Sequence, residues 1–212
     1  EMTITLNTLS TAIARAHAAM STLTDELNAA DAKLGDGDTG TMLARLIATF
    51  HSVDVADAPD LGAGFLALAK AGAASTGSSL GTLIITAMMT ASKATAGKNE
   101  IAWRELAPII AAIRDSAMAR GKAELGAKTI VDGLDALAKG VEGNTTAAET
   151  ADAAQLAMDA VLDAFRDRPS AMGRARMFAE KSVGLDDPGM LALAEIVRAF
   201  ASADHHGNSP AA

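Results

Sequence analysis

From Leu6 to Phe200 apolar residues return every three or four positions, the spacing that places them on one face of a helix. The first run, Leu6, Leu9, Ile13, Ala16 and Met20, predicts a helix to about Leu27. A second run, Met42, Leu43, Leu46, Ile47 and Phe50, predicts another that begins near Thr39. Further helices are expected at about 60–74, 78–96, 102–120, 129–141, 146–167, 170–181 and 188–203, and no strand pattern stands out. Composition agrees, because Ala and Leu dominate, Tyr is absent, and five Phe and one Trp are the whole aromatic content. Half of the 212 residues are apolar, ample for one core. No repeat or Pro/Ser-rich linker divides the chain, so it reads as a single all-α domain over 1–203 with a flexible tail at 204–212. Trp103 and the pair Met88 and Met89 are expected in the core.

Charge and residue usage exclude several classes. The formal charge is -8, and the 18 Lys and Arg gather into no patch, which argues against a nucleic-acid or anionic-membrane surface. The longest apolar stretch, Leu80 to Met89, is about half of the roughly 20 residues a membrane helix needs. With no Cys there is neither a disulfide nor a thiolate metal site. The N-terminus carries no secretory pattern, so a cytoplasmic protein is the expectation.

The breaks between helices carry the chemistry. Asp31-Ala-Lys-Leu-Gly-Asp36-Gly-Asp38-Thr-Gly40 crowds three carboxylates into eight residues, where they repel one another unless a cation lies between them. Oxygen ligands of this kind suit magnesium or calcium. The calcium-loop pattern fails, because Met42 stands where its twelfth-position Glu would be. The competing reading is a solvated Asp/Gly turn that caps the following helix. Ser75-Thr76-Gly77-Ser78-Ser79-Leu80-Gly81-Thr82 sets hydroxyls and glycines before an apolar helix, a place where backbone N–H groups bind phosphate. It lacks the Gly-Lys-Ser/Thr ending of a P-loop. Arg120 to Thr129 supplies cations and glycines, among them Lys128, which taken singly reads as a solvated surface charge; Arg174 follows later. Asp186-Asp187-Pro188-Gly189 is a helix start, with Asp at the cap and Pro in the first turn. His17, His51, His205 and His206 show no ligand spacing and are not expected to bind metal. In an up-and-down bundle alternate turns share an end, so these four turns are expected to form one site.

Taken in order, LGDGDTGTM, STGSSLGT, RGKAELGAKTIVD and GRARMFAEKSVGLDDPG resemble the nucleotide-binding L subunit, or L domain, of dihydroxyacetone kinases. The resemblance runs from about residue 31 to 189. It implies an antiparallel barrel of eight helices with two magnesium ions and ADP or ATP at one end. It places the metal ligands at Asp31, Asp36 and Asp38. It places nucleotide contacts at Thr39, Gly40, Thr41 and Met42, at Ser75 and Thr76, at Gly121, Ile130 and Arg174, and at Asp187, Pro188 and Gly189. The chain departs from the family where Met42 replaces a frequent Asn and Thr39 replaces the His of some members.

In that family the ketone is bound through a histidine of a separate K subunit or domain, so the resemblance implies half of an enzyme with no catalytic residue for the substrate of its own. The implied reaction passes a phosphoryl group from nucleotide to a small ketone or ketose on a K-type partner. ATP that exchanges each cycle, and bound ADP rephosphorylated by a phosphocarrier of the sugar phosphotransferase system, both remain open. So do a tetrulose or other hydroxyketone as substrate, and a nucleotide-loaded regulatory module as a different class. The intact aspartate triad favours catalysis over regulation.

Overall fold

The computed structural model describes residues 3–172 and 174–202, Arg174 by its backbone alone. The helices are α1 (Leu6–Asp31), α2 (Thr39–His51), α3 (Leu61–Ala73), α4 (Ser79–Ala94), α5 (Leu106–Gly121), α6 (Ile130–Gly140), α7 (Ala147–Arg166), the single turn α8 (Ala179–Ser182) and α9 (Pro188–Ala201). Each long helix packs on the next, and α9 packs on both α7 and α1, so the eight long ones close into a ring. This is the antiparallel eight-helix barrel that the resemblance implied. No described helix is long and apolar enough to cross a membrane.

The helix starts follow from local chemistry. Orphan N–H groups of a first turn need acceptors. Thr5, Asp60, Ser78, Thr129, Thr146 and Asp187 each supply a side-chain oxygen to one of them. Pro188 occupies the first turn of α9, where its missing N–H costs nothing, as the sequence predicted. Inside the ring, one cluster joins α5, α6, α7 and α9 around Ile110, Leu137, Met158 and Met190. A second joins α1, α2 and α9 around Leu23, Leu27, Leu43 and Ala192. A third packs Leu46, Phe50, Val55 and Leu68. Half-buried Met42 and Ile84 touch both of the latter clusters, which fixes the start of α2 relative to α4.

The structure departs from the sequence expectations at four places. The first helix continues to Asp31, so the first carboxylate of the triad ends a helix rather than opening a loop. Between 170 and 181 there is no full helix, only a 3-10 segment at Arg174–Phe178 followed by the turn of α8. Strand β1 (Thr3–Thr5) pairs antiparallel with β2 (Glu100–Ala102), with Ile4 opposite Ile101. Three residues are too few for alternation to register in a sequence. Helix α5 starts at Leu106 because a 3-10 turn at Trp103–Glu105 intervenes, its Glu105 carboxylate accepting the Ala102 N–H at 2.8 Å. Met88 packs in the core and Trp103 is half-buried, but Met89 is 46% exposed. The expected tail and His205 and His206 lie outside the described residues.

Candidate functional site

Consecutive antiparallel helices send alternate connections to the same end of a ring. The α1–α2, α3–α4, α5–α6 and α7–α9 connections therefore share one end, and these are the four turns the sequence singled out. Direct contacts join some of them. The Ala171 N–H donates to the Ala127 carbonyl at 3.1 Å, and a Cβ built on Gly189 would sit 3.6 Å from the Ile130 Cβ. Ile130 and Gly189 are thus neighbours.

In the first turn, one oxygen from each of Asp31, Asp36 and Asp38 lies within 4.8 Å of the other two. Asp31 is buried, whereas Asp36 and Asp38 are exposed. Oδ2 of Asp31 accepts the N–H groups of Asp38 at 3.0 Å and Thr39 at 3.2 Å. Gly35 has to be glycine here, because a Cβ would overlap Oδ1 of Asp31, and Gly37 takes φ +77 to turn the chain back. Asp38 stands at the N-cap of α2, yet its side chain makes no capping hydrogen bond. The capping part of the competing reading therefore does not hold at Asp38, while Asp36 and Asp38 are both open to solvent. Oxygens about 2.1 Å from a magnesium ion lie roughly 3 to 4 Å apart, so a small contraction of this cluster fits the ion.

The neighbouring groups are polar and tightly placed. Asn28, on α1, accepts the Thr41 N–H at 3.0 Å and donates to the Thr41 hydroxyl at 2.9 Å. Gly40 is buried so close to α1 that a Cβ would overlap the Thr24 carbonyl oxygen. In the second turn the Ser75 hydroxyl donates to the Gly72 carbonyl, and the buried Thr76 hydroxyl has no hydrogen-bond partner among the described residues. That oxygen fills the space that a Cβ on Gly81, in the first turn of α4, would take.

At the other two turns, Gly121 is exposed, Ile130 is half-buried, and Pro188 is buried. The Asp187 carboxylate accepts the Met190 N–H at 2.9 Å, and burial pushes it up to about 6 despite that bond and the nearby Lys128. Lys128 is no surface charge. It is 1% exposed, and its ammonium donates to three carbonyls. The backbone of Arg174 lies in the 3-10 segment beside this turn; its side chain is outside the described atoms. Asn28 is a neighbour of the triad that nothing in the sequence distinguishes from a helix-surface residue, whereas Lys128 stands in a singled-out turn but reads there as a surface charge. His17 and His51 stack on each other, ring centroids 4.4 Å apart. His51 ends α2, about 18 Å along the axis from the triad.

Residues 33–202 match the family model described as the DAK2 domain. The chain belongs to the DAK2 domain family. Within it, the chain is 34% identical to the L-erythrulose kinase of Pectobacterium atrosepticum over 185 residues, 84% of this chain and 31% of that protein. It is 33% identical to the L-erythrulose 1-kinase of Mycolicibacterium smegmatis, over 82% of this chain and 32% of that one. A third relative is the ADP-binding subunit DhaL of a PEP-dependent dihydroxyacetone kinase of Listeria innocua, 30% identical over 80% of this chain and 82% of that subunit. The DAK2 chain thus spans about a third of the length of the two erythrulose kinases and most of the length of the separate subunit. Among solved structures, the native dihydroxyacetone kinase of C. freundii superimposes with a TM-score of 0.70 at 25% identity, covering 91% of this chain and 33% of that one. The same kinase in complex with AMP-PNP and Mg2+ gives 0.65 at 23%, a likeness of fold. The chain is a DhaL-type domain.

Proposed function

We propose that this chain binds ADP or ATP with two magnesium ions on Asp31, Asp36 and Asp38 and passes a phosphoryl group to a small hydroxyketone held by a K-type domain or subunit. The observation that carries the reading is the convergence of the three carboxylates at the start of α2, with Asp38 at a cap position where its side chain does no capping. Magnesium held by these carboxylates would supply positive charge to offset what develops on the phosphates during transfer. The chain's own groups position the nucleotide. Thr39 to Met42, in the first turn of α2 directly after Asp38, would contact the nucleotide there, and the Thr76 hydroxyl, without a hydrogen-bond partner among the described residues, would do so with Ser75 at the second turn. Gly121, Ile130, Arg174 and Asp187 to Gly189 complete the nucleotide contacts, the Arg174 guanidinium pairing with a phosphate. The DhaL relative, an ADP-binding subunit, supports the nucleotide.

Relatives named as erythrulose kinases favour a ketotetrose beside dihydroxyacetone as substrate. The reaction needs a K-type partner that holds the ketone and excludes water from the phosphate. Phosphorylation by ATP, and rephosphorylation of bound ADP by a phosphocarrier of the sugar phosphotransferase system, are two arms of one test. The purified chain is mixed with magnesium and nucleotide, then with a K-type subunit, and assayed on dihydroxyacetone and erythrulose with each phosphoryl donor. Nucleotide binding alone, with ketone phosphorylation only after the partner is added, is the expected result. Rapid, saturable phosphorylation of free ketone by the chain alone would make it a self-contained kinase. Tight nucleotide binding without transfer under any condition would favour a regulatory module.

A further inference from the structure

A lysine in a protein interior loses hydration that only well-placed acceptors replace. Lys128 nevertheless has its ammonium buried, 2.9 Å from the Arg166 carbonyl and 2.8 Å from those of Arg168 and Ser182. Its backbone is left-handed as well, at φ +62, a conformation unfavourable for any side chain larger than glycine. Arg166 is the last residue of α7, so one of the three carbonyls belongs to a helix C-terminus, where positive charge is favoured.

These acceptors straddle the neck of one loop. The Ser170 N–H donates to the Ser182 hydroxyl at 2.7 Å, and the Gly184 N–H to the Arg166 carbonyl at 2.8 Å, so the chain enters and leaves this loop side by side. Arg174 lies on the loop. On the other side, Asp132 accepts the N–H groups of Gly126 at 2.6 Å and Thr129 at 3.0 Å, fixing the turn that carries Lys128 to the start of α6 and hence to Ile130.

We propose that Lys128 is a positioning residue: its ammonium ties the Arg174 loop and the Asp187 turn to the start of α6, and nucleotide affinity depends on that tie. The inference rests on the nucleotide-binding reading above. The charged groups around the ammonium are Arg166 and Asp167 at the end of α7 and Asp186 and Asp187 before α9. Burial pulls Lys128 below the ordinary lysine range, and the three aspartates oppose that pull.

The test compares wild type, Lys128→Met and Lys128→Arg. Calorimetry measures ADP affinity with magnesium from pH 7 to about 10.5, and Mn2+ binding without nucleotide reads the aspartate triad alone. Lys128→Met should lose roughly tenfold or more in ADP affinity at pH 7 while Mn2+ affinity stays unchanged. Wild type should lose ADP affinity at alkaline pH, through a midpoint below the ordinary lysine value, and Lys128→Arg, charged throughout, should lack that alkaline fall. Equal ADP affinity in wild type and Lys128→Met overturns the inference alone. So does parallel loss of Mn2+ and ADP, which would mark a general prop of the fold. If neither variant folds, the wild-type profile decides: an ADP affinity flat to the alkaline limit overturns the tie, and the alkaline fall supports it. A wild-type chain that binds no ADP sinks the nucleotide reading and this inference with it.

Discussion

Oδ2 of Asp31 accepts the backbone N–H of Asp38 at 3.0 Å, so the carboxylate that ends α1 also holds the chain where α2 begins. Asp31 therefore has a structural task beside any metal, and it is buried where Asp36 and Asp38 are exposed. Asp31→Ala is expected to lose magnesium-dependent nucleotide binding and roughly 1 kcal/mol of stability, since the part-buried N–H groups of Asp38 and Thr39 lose their acceptor. Asp36→Ala and Asp38→Ala should lose the binding with helix content nearly unchanged. Calorimetry with ADP and magnesium, beside urea unfolding, separates the two classes. Full-affinity binding by the exposed pair of variants would remove the metal assignment.

Gly40→Ala should destabilise the chain by about 2 kcal/mol or more and weaken metal binding with it. A Cβ there would overlap the Thr24 carbonyl, which is backbone and cannot swing aside, so α2 must move away from α1. Thermal melts and Mn2+ titration of the same sample check it. Unchanged values in both would show that the two helices are not held this closely.

Arg174→Ala should weaken ADP binding far more than Lys181→Ala. A guanidinium on phosphate makes charge-assisted bonds worth about 1.5–3 kcal/mol, whereas an exposed lysine contributes roughly 0–1. Lys181 lies 5.5 Å over the Phe178 ring, a contact within its own turn. Equal losses in the two variants would count against Arg174 as the phosphate ligand.

The sign of the Asp187 effect on stability is set by its raised pKa. In the unfolded chain the group ionises near 3.8, and in the fold near 6, so between these values the fold holds a proton the unfolded chain has lost. This group's contribution to stability therefore falls as pH rises from about 4 to 6, and its cost is fully present above that. Asp187→Asn should gain stability relative to wild type across this window, reaching at most about 3 kcal/mol at neutral pH. Urea unfolding at pH 4, 5, 6 and 7 gives the difference curve. A flat difference would mean that Asp187 is solvated.

Much of the ring was legible because its helices are amphipathic over three or more turns and their caps are Thr, Ser and Asp at the expected places. The 170–181 segment misled for a physical reason: its composition suits a helix, but the Lys128 ammonium and the Ser182 hydroxyl bind its ends and fold it into a loop. Periodicity does not see a contact across 54 residues. The aspartate triad was legible as a cluster, since its spacing is local. That Asp31 belongs to a helix end and Asp38 caps nothing with its side chain emerged only from the backbone. Lys128 was read as solvated because buried lysines are rare.

Because α1 meets α9 as well as α2, the barrel has no outer helix, and each of its four helical hairpins contributes one turn to the end that carries the aspartate triad. A single cut at Gly97, an exposed left-handed turn between α4 and α5, would leave two pieces with two of those turns apiece. The pieces would still meet where α1 and α2 pack on α9, where α4 packs on α5, and along the ladder from Thr3–Thr5 to Glu100–Ala102. Neither piece alone would hold a complete ligand set, so reassociation of the split protein could be read out as the return of nucleotide binding.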